Sequence, residues 1–180
     1  LPTTHNTPIL RDEFVTSDGR FIIESSVLHL LSDERVGRGW KHKLNALLDF
    51  NTSANVSWIR SNDIDGVRIP DEIERDLMRR NQTSCHLRFR PRDNRIRLCD
   101  LEVELFSQPV PRMPIDKMVE RFPDCKHWVQ ASLPGHSSKG TQAIVQLTFG
   151  PDMHGASARY WYQRTEGKWR LKAQQTFHLN

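Results

Sequence analysis

Apolar and polar positions alternate most regularly near the end of the chain. Tyr160 and Tyr162 alternate with Arg159, Trp161 and Gln163; after Thr165-Glu166-Gly167, Trp169, Leu171 and Ala173 alternate with Arg170 and Lys172. Period-two alternation on both sides of a Gly-bearing turn predicts a β-hairpin. Residues 143–149 predict a strand before it, and Trp128 with Val129 leads another. Upstream the period changes. Phe21, Ile22, Ile23, Val27, Leu28, Leu30 and Leu31 suit a helix over 21–31, and Trp40, Leu44, Leu47 and Leu48, spaced i, i+4, i+7, i+8, predict a second. Pro70-Asp71-Glu72 opens a third, since proline and acids suit a first turn, and Ile73, Leu77 and Met78 are its buried stripe.

Between these lie a short strand over 54–59 and a long arginine-rich hairpin. In the hairpin Leu87 and Phe89 alternate with His86, Arg88 and Arg90, and the chain turns at 91–94. It returns through Ile96 and Leu98, then Leu101, Val103 and Leu105. The slip in phase between Leu98 and Leu101 predicts a β-bulge near Cys99-Asp100. A short helix over 115–122 follows. Residues 1–20 are polar and turn-rich, an arm leading into one domain over 21–180.

A chain of 180 residues, 37% hydrophobic and 27% charged, has the composition of a globular domain with one core. No run approaches the ~18 apolar residues of a membrane span. The net charge of +4 is mild, but Arg79, Arg80, Arg88, Arg90, Arg92, Arg95 and Arg97 crowd one stretch. Arg88, Arg90, Arg95 and Arg97 would form a cationic stripe for phosphates, while Asp93, Asp100, Glu102 and Glu104 offset it. A charge-guarded sheet edge is the favoured reading over nucleic-acid binding. Cys85, Cys99 and Cys125 form no disulfide framework, although Cys85 and Cys99 would face each other across the hairpin in one register. The sequons at Asn51, Asn55 and Asn81 exceed chance and point to a secretory route.

The order helix, helix, strand, helix, bent antiparallel sheet resembles the cystatin-like α+β cone. Three stretches carry a likeness to the nuclear-transport-factor-like superfamily, which includes ketosteroid isomerase and scytalone dehydratase. Trp40-Lys-His-Lys-Leu44 resembles the family's second helix, and Arg68-Ile-Pro70-Asp-Glu-Ile73 the start of its third. Tyr160-Trp-Tyr162 with Glu166-Gly167-Lys168-Trp169-Arg170-Leu171 resembles the last hairpin of the scytalone-dehydratase branch. Residues 107–135 stand as an insertion relative to a minimal cone. The resemblance implies a curved sheet wrapped by helices around an apolar funnel, often paired into a homodimer through the open sheet face.

The family places a histidine at the start of an inner strand, and His86 and His127 compete for that place. Either would serve as an acid/base near neutral pH. Tyr160, Tyr162 and Asp100 would fill the oxyanion roles of an isomerase, and His29 and Asp33 lie on the first helix. Ala158, however, stands where the dehydratase carries an inward asparagine. The expectation is therefore a non-catalytic binding or interaction domain, holding a protein partner or a small apolar ligand. Trp128 and Tyr162 join the arginines as binding candidates. The alternatives are a lyase or isomerase using His127, His86 and Tyr160, and RNA binding through the arginine hairpin. Spacing gives no metal cluster and no cofactor motif. Cys125 beside Lys126 and His127 reads as a buried thiol before an activated one.

Overall fold

A computed structural model describes residues 11–13, 15–36, 42–54, 56, 63–107, 114–150 and 156–178. Its architecture is α+β, with a curved, unclosed sheet. Helix α1 (Ser17–Ser32) begins where Thr16 accepts the Gly19 N–H at 3.1 Å, a side-chain N-cap. It lays Ile22, Ile23, Val27 and Leu30 against the sheet and leaves Phe21 exposed. Helix α2 (Asp71–Arg80) starts after Pro70 with acids in its first turn and arginines in its last, complementing its dipole, and buries Ile73 and Leu77. Helix α3 (Pro114–Arg121) buries Met118. All three fall where the sequence places helices, within a few residues.

Strands in chain order are β1 (Arg11–Glu13), β2 (Asn45–Asp49), β3 (Asp63–Ile64), β4 (Val67–Arg68), β5 (Cys85–Leu87) and β6 (Ile96–Cys99). They continue with β7 (Cys125–Ala131), β8 (Gly135–His136), β9 (Gln142–Gly150), β10 (Ala156–Thr165) and β11 (Lys168–His178). The main sheet runs β11-β10-β9-β7-β2-β6, with β8 also on β9. The β9–β10–β11 meander is antiparallel, as predicted, whereas β2 pairs in parallel with both β7 and β6. Glu166 and Gly167, at φ 51° and 74°, close the last hairpin, and glycine takes the second positive φ without strain.

Two predicted elements do not form. Residues 45–49 are strand β2 rather than the second helix, and Trp40 lies outside the described residues. Ala46, Leu47 and Leu48 are all fully buried, because a strand flanked on both sides and covered on both faces needs no alternation. The arginine hairpin is likewise absent. Strand β5 pairs in parallel with β1, and β6 with β2. In place of a bulged return strand, Leu101 enters a π-helical turn over Glu102–Phe106. Leu101 and Leu105, four apart, are buried while Val103 is exposed, which is helical spacing. Of the strand expected over 54–59, Ala54 and Val56 are irregular and the other residues lie outside the described ones.

Both faces of the sheet are covered. On one, α1 packs against Ala158, Tyr160 and Tyr162 of β10 and Val145, Leu147 and Phe149 of β9. On the other, Ile144 and Trp161 pack under Ile73 and Leu77 of α2, and Leu47 and Trp128 under Leu101, Leu105 and Met118. The face expected to be open for pairing of two copies is thus covered by α2 along β9 and β10.

Candidate functional site

The α1-facing side of the sheet holds three buried ring-bearing polar residues, His127, Tyr160 and Tyr162, and His29 reaches toward the two phenols from the exposed edge of α1. Ser26 donates to the Ile22 carbonyl at 2.8 Å, so the 2.9 Å bond between Ser26 and Tyr162 has the phenol as donor. His29 stacks on Tyr160 with ring centres 6.3 Å apart. Burial drives both phenols far above the usual tyrosine range and lowers His29. Asp33, at the end of α1, is engaged by Arg35 through Nε and Nη2 at 3.0 and 2.8 Å, which holds its carboxyl below the usual range. A carboxylate spent in this way is a poor base.

His127 is the unusual member. It lies on β7 beside Phe149, edge to face at 5.5 Å, and is 0% exposed. Among the described residues neither ring nitrogen makes a well-aligned hydrogen bond. The Gly150 backbone lies near enough to favour the charged ring slightly. Burial, reinforced by the neighbouring Lys126 charge, lowers the imidazole to about 3. It is therefore neutral at physiological pH, one nitrogen a donor and the other an acceptor. Lys126 is turned away to the C-terminal carbonyls of α1, donating to Leu31 and Asp33 at 3.2 and 3.5 Å.

The remaining predicted positions separate. His86 is half-buried and lies tilted against Phe50 with ring centres 4.3 Å apart, while its neighbours Cys85 and Leu87 enter the α1-side core. Asp100 caps the π-helical turn by accepting the Val103 N–H at 3.1 Å. Ala158 is buried in the α1-side core. Trp128 lies on the opposite face from Tyr162, edge-on to Phe106 at 5.4 Å. No hairpin aligns the arginines. Arg88 and Arg90 are exposed ahead of the turn, Arg95 grips Asp93 at 2.9 and 2.8 Å, and Arg97 pairs with Asp124. Phe89 packs inward.

All three cysteines are free, and register sets Cys99 beside Asp49 rather than Cys85. Burial pushes the Cys99 and Cys125 thiols up to about 12 and about 11, the opposite of activation. Among the described residues no group of His, Cys, Asp and Glu is placed to hold a metal. Asn81 is a structural residue. Its amide donates to the Leu77 and Leu133 carbonyls at 2.8 and 2.9 Å, and its oxygen accepts the Leu133 N–H at 2.7 Å, leaving no amide hydrogen for a glycan in the folded chain. Asn51 is half-buried, and Asn55 lies outside the described residues.

Two features escape the sequence reading. Arg159, expected to alternate outward, is fully buried under α2 and binds Glu74, Gln146 and the Val56 carbonyl. The outer stripe of α2, including Arg75, Met78 and Arg79, lines an open groove of about 610 Å³. Met78, read from the sequence as part of the buried stripe of Ile73 and Leu77, is only partly buried and lies on this outer face. Comparison of the chain with family models, curated proteins and solved structures returns no match.

Proposed function

We propose that this chain is a divergent cone of the nuclear-transport-factor-like type. It acts as a non-catalytic binding domain, taking a small apolar molecule with one hydrogen-bonding group between α1 and the curved sheet. One observation carries the reading: His127 is sealed from solvent with neither ring nitrogen in a well-aligned hydrogen bond among the described residues. Leaving buried polar groups unpaired costs about 1–3 kcal/mol each, so folds rarely retain them without a use. A neutral imidazole held in an apolar wall is a fixed donor and acceptor for such a ligand. The same burial makes it a weak proton acceptor near neutral pH, and His86 and Asp100 are turned to other tasks. Binding is therefore favoured over a lyase or isomerase. RNA binding through an arginine hairpin loses its support, because the hairpin does not form.

The test is histidine-selective 15N NMR of the whole chain during titration with long-chain alcohols, acids and flat polycyclic ketones. The His127 ring signals are expected to stay neutral down to pH near 4 and to move on addition of one of these classes. Ring signals that titrate near pH 6.5, or that no compound moves while other residues shift, would overturn the assignment.

A further inference from the structure

The side of the sheet opposite α1 has two separate apolar covers. Ile73 and Leu77 of α2 lie over Ile144 and Trp161, and Leu101, Leu105 and Met118 lie over Leu47 and Trp128. Between them the strands place a polar row. Cys99, Asp49, Gln130, Thr148 and Ser157 follow one another across β6, β2, β7, β9 and β10. Alternation fixes the face, since Val129, Ala131, Leu147 and Phe149 belong to the α1-side core. Asp49 and Cys99 end the parallel strands β2 and β6, and Gln130 is the penultimate residue of β7, which also runs parallel to β2. Sheets with parallel strands take ligands at such carboxyl ends.

The row is open in its middle. Strands β7 and β9 are paired on both sides, yet Gln130 and Thr148 are only partly buried, so their exposure comes through this face. Asp49, 2% exposed, and Ser157, 0% exposed, are the supports beside them. Asp49 accepts the Gln130 Nε2 at 2.8 Å and the Asn51 N–H at 3.1 Å. With its nitrogen on Asp49, the Gln130 amide turns its oxygen away. The Ser157 hydroxyl holds that of Thr148 at 3.2 Å. Asp49 is sealed behind this pairing and Arg159 is matched by Glu74, so the opening presents neutral groups. Trp128, two residues before Gln130 on the same face, supplies an apolar wall, and its Nε1–H makes no hydrogen bond among the described residues.

We propose that this opening binds a neutral polyhydroxylated molecule, a sugar or a cyclic polyol. Its hydroxyls meet the Gln130 amide and the Thr148 hydroxyl, which offer donors and acceptors at the spacing of neighbouring strands, about 5 Å, and its C–H face lies toward Trp128. The site is on the opposite face of the sheet from His127 and does not depend on it.

The probes are methyl glucoside, N-acetylglucosamine and myo-inositol, added to the whole chain and followed by 15N NMR of the Gln130 side-chain amide and the Trp128 indole. One of them is expected to move both signals with a dissociation constant on the order of 1 mM, leaving the His127 ring unmoved. Thr148→Val should weaken that binding about three- to tenfold, and the charged sugars glucuronate and glucosamine should bind no better than the neutral ones. If the variant does not fold, the shift map of the parent decides. No movement of the Gln130 amide by any neutral probe up to about 50 mM would overturn the proposal, as would shifts centred away from Gln130 and Thr148. So would equal binding by Thr148→Val, or a charged sugar binding about tenfold tighter than the neutral ones.

Discussion

Removing the carboxylate that neutralises Arg159 is the sharpest perturbation of the fold. The guanidinium lies on the α2-facing side of β10 with no exposure, and Glu74, whose side chain is 18% exposed, reaches it at 3.0 Å. Burial lowers the Arg159 pKa, and the nearby Glu74 charge opposes that shift. Glu74→Gln keeps the shape and a hydrogen-bonding oxygen but leaves a buried cation without its counter-charge. Breaking such a pair from one side costs about 3–5 kcal/mol. Gln146 and the Val56 carbonyl stay on the guanidinium, so the lower end, about 3 kcal/mol, applies. At roughly 2–4 °C per kcal/mol for a domain of this size, the melting temperature should fall by about 6–12 °C. Removing both charges together, as E74L with R159M, should recover part of that loss, since the buried charge is gone but Gln146 Oε1 and the Val56 carbonyl lose their donor. Urea unfolding of the parent, E74Q and the double variant decides the matter. An E74Q loss below about 1 kcal/mol, or a double variant less stable than E74Q, would refute a buried, charge-compensated arginine.

Three other outcomes follow from local geometry. A Cβ at Gly135 would stand 2.4 Å from the Leu77 nitrogen and 2.6 Å from its Cα; because backbone cannot swing aside, Gly135→Ala should cost about 3 kcal/mol by urea unfolding. Asn81→Ala removes three buried hydrogen bonds joining the end of α2 to Leu133. It should cost about 2–4 kcal/mol, and folded protein from a secretory host should show no glycan at Asn81 by mass spectrometry. His127, lowered to about 3 in the fold against 6.5 unfolded, makes the unfolded chain bind one more proton between those values. Stability is then fully present above pH 6.5 and declines by up to about 1.4 kcal/mol per unit as pH falls toward 3. His127→Leu should flatten that part of the profile.

The legible parts of the fold were those set by neighbours along the chain. The closing hairpin announces itself because its alternation, its Glu-Gly turn and its pairing are all local. Helices α1, α2 and α3 follow from apolar stripes and first-turn acids. Pairing between distant segments was not legible. Leu87 and Ile96 do sit in strands, yet their partners are Glu13 and Ala46 in parallel registers that no turn encodes. The Ala46-Leu47-Leu48 run suits a helix stripe as well as a strand buried on both faces, and only the flanking β7 and β6 decide between them. Arg159 was misplaced for the same reason, since alternation predicts a polar outer face only when that face is wet. Within the site, His127 was legible as a histidine entering a strand. Its lack of a well-aligned hydrogen bond among the described residues was not.

The central claim, that His127 is kept unpaired for a ligand, is tested most directly by thermal unfolding of the parent and His127→Leu with and without the same apolar compounds. Leucine removes two unsatisfied buried nitrogens, so the variant alone should be more stable by about 1–3 kcal/mol. A compound with one hydrogen-bonding group should raise the melting temperature of the parent and leave the variant unmoved. A destabilised variant, or one that responds to the compound as the parent does, would contradict the account.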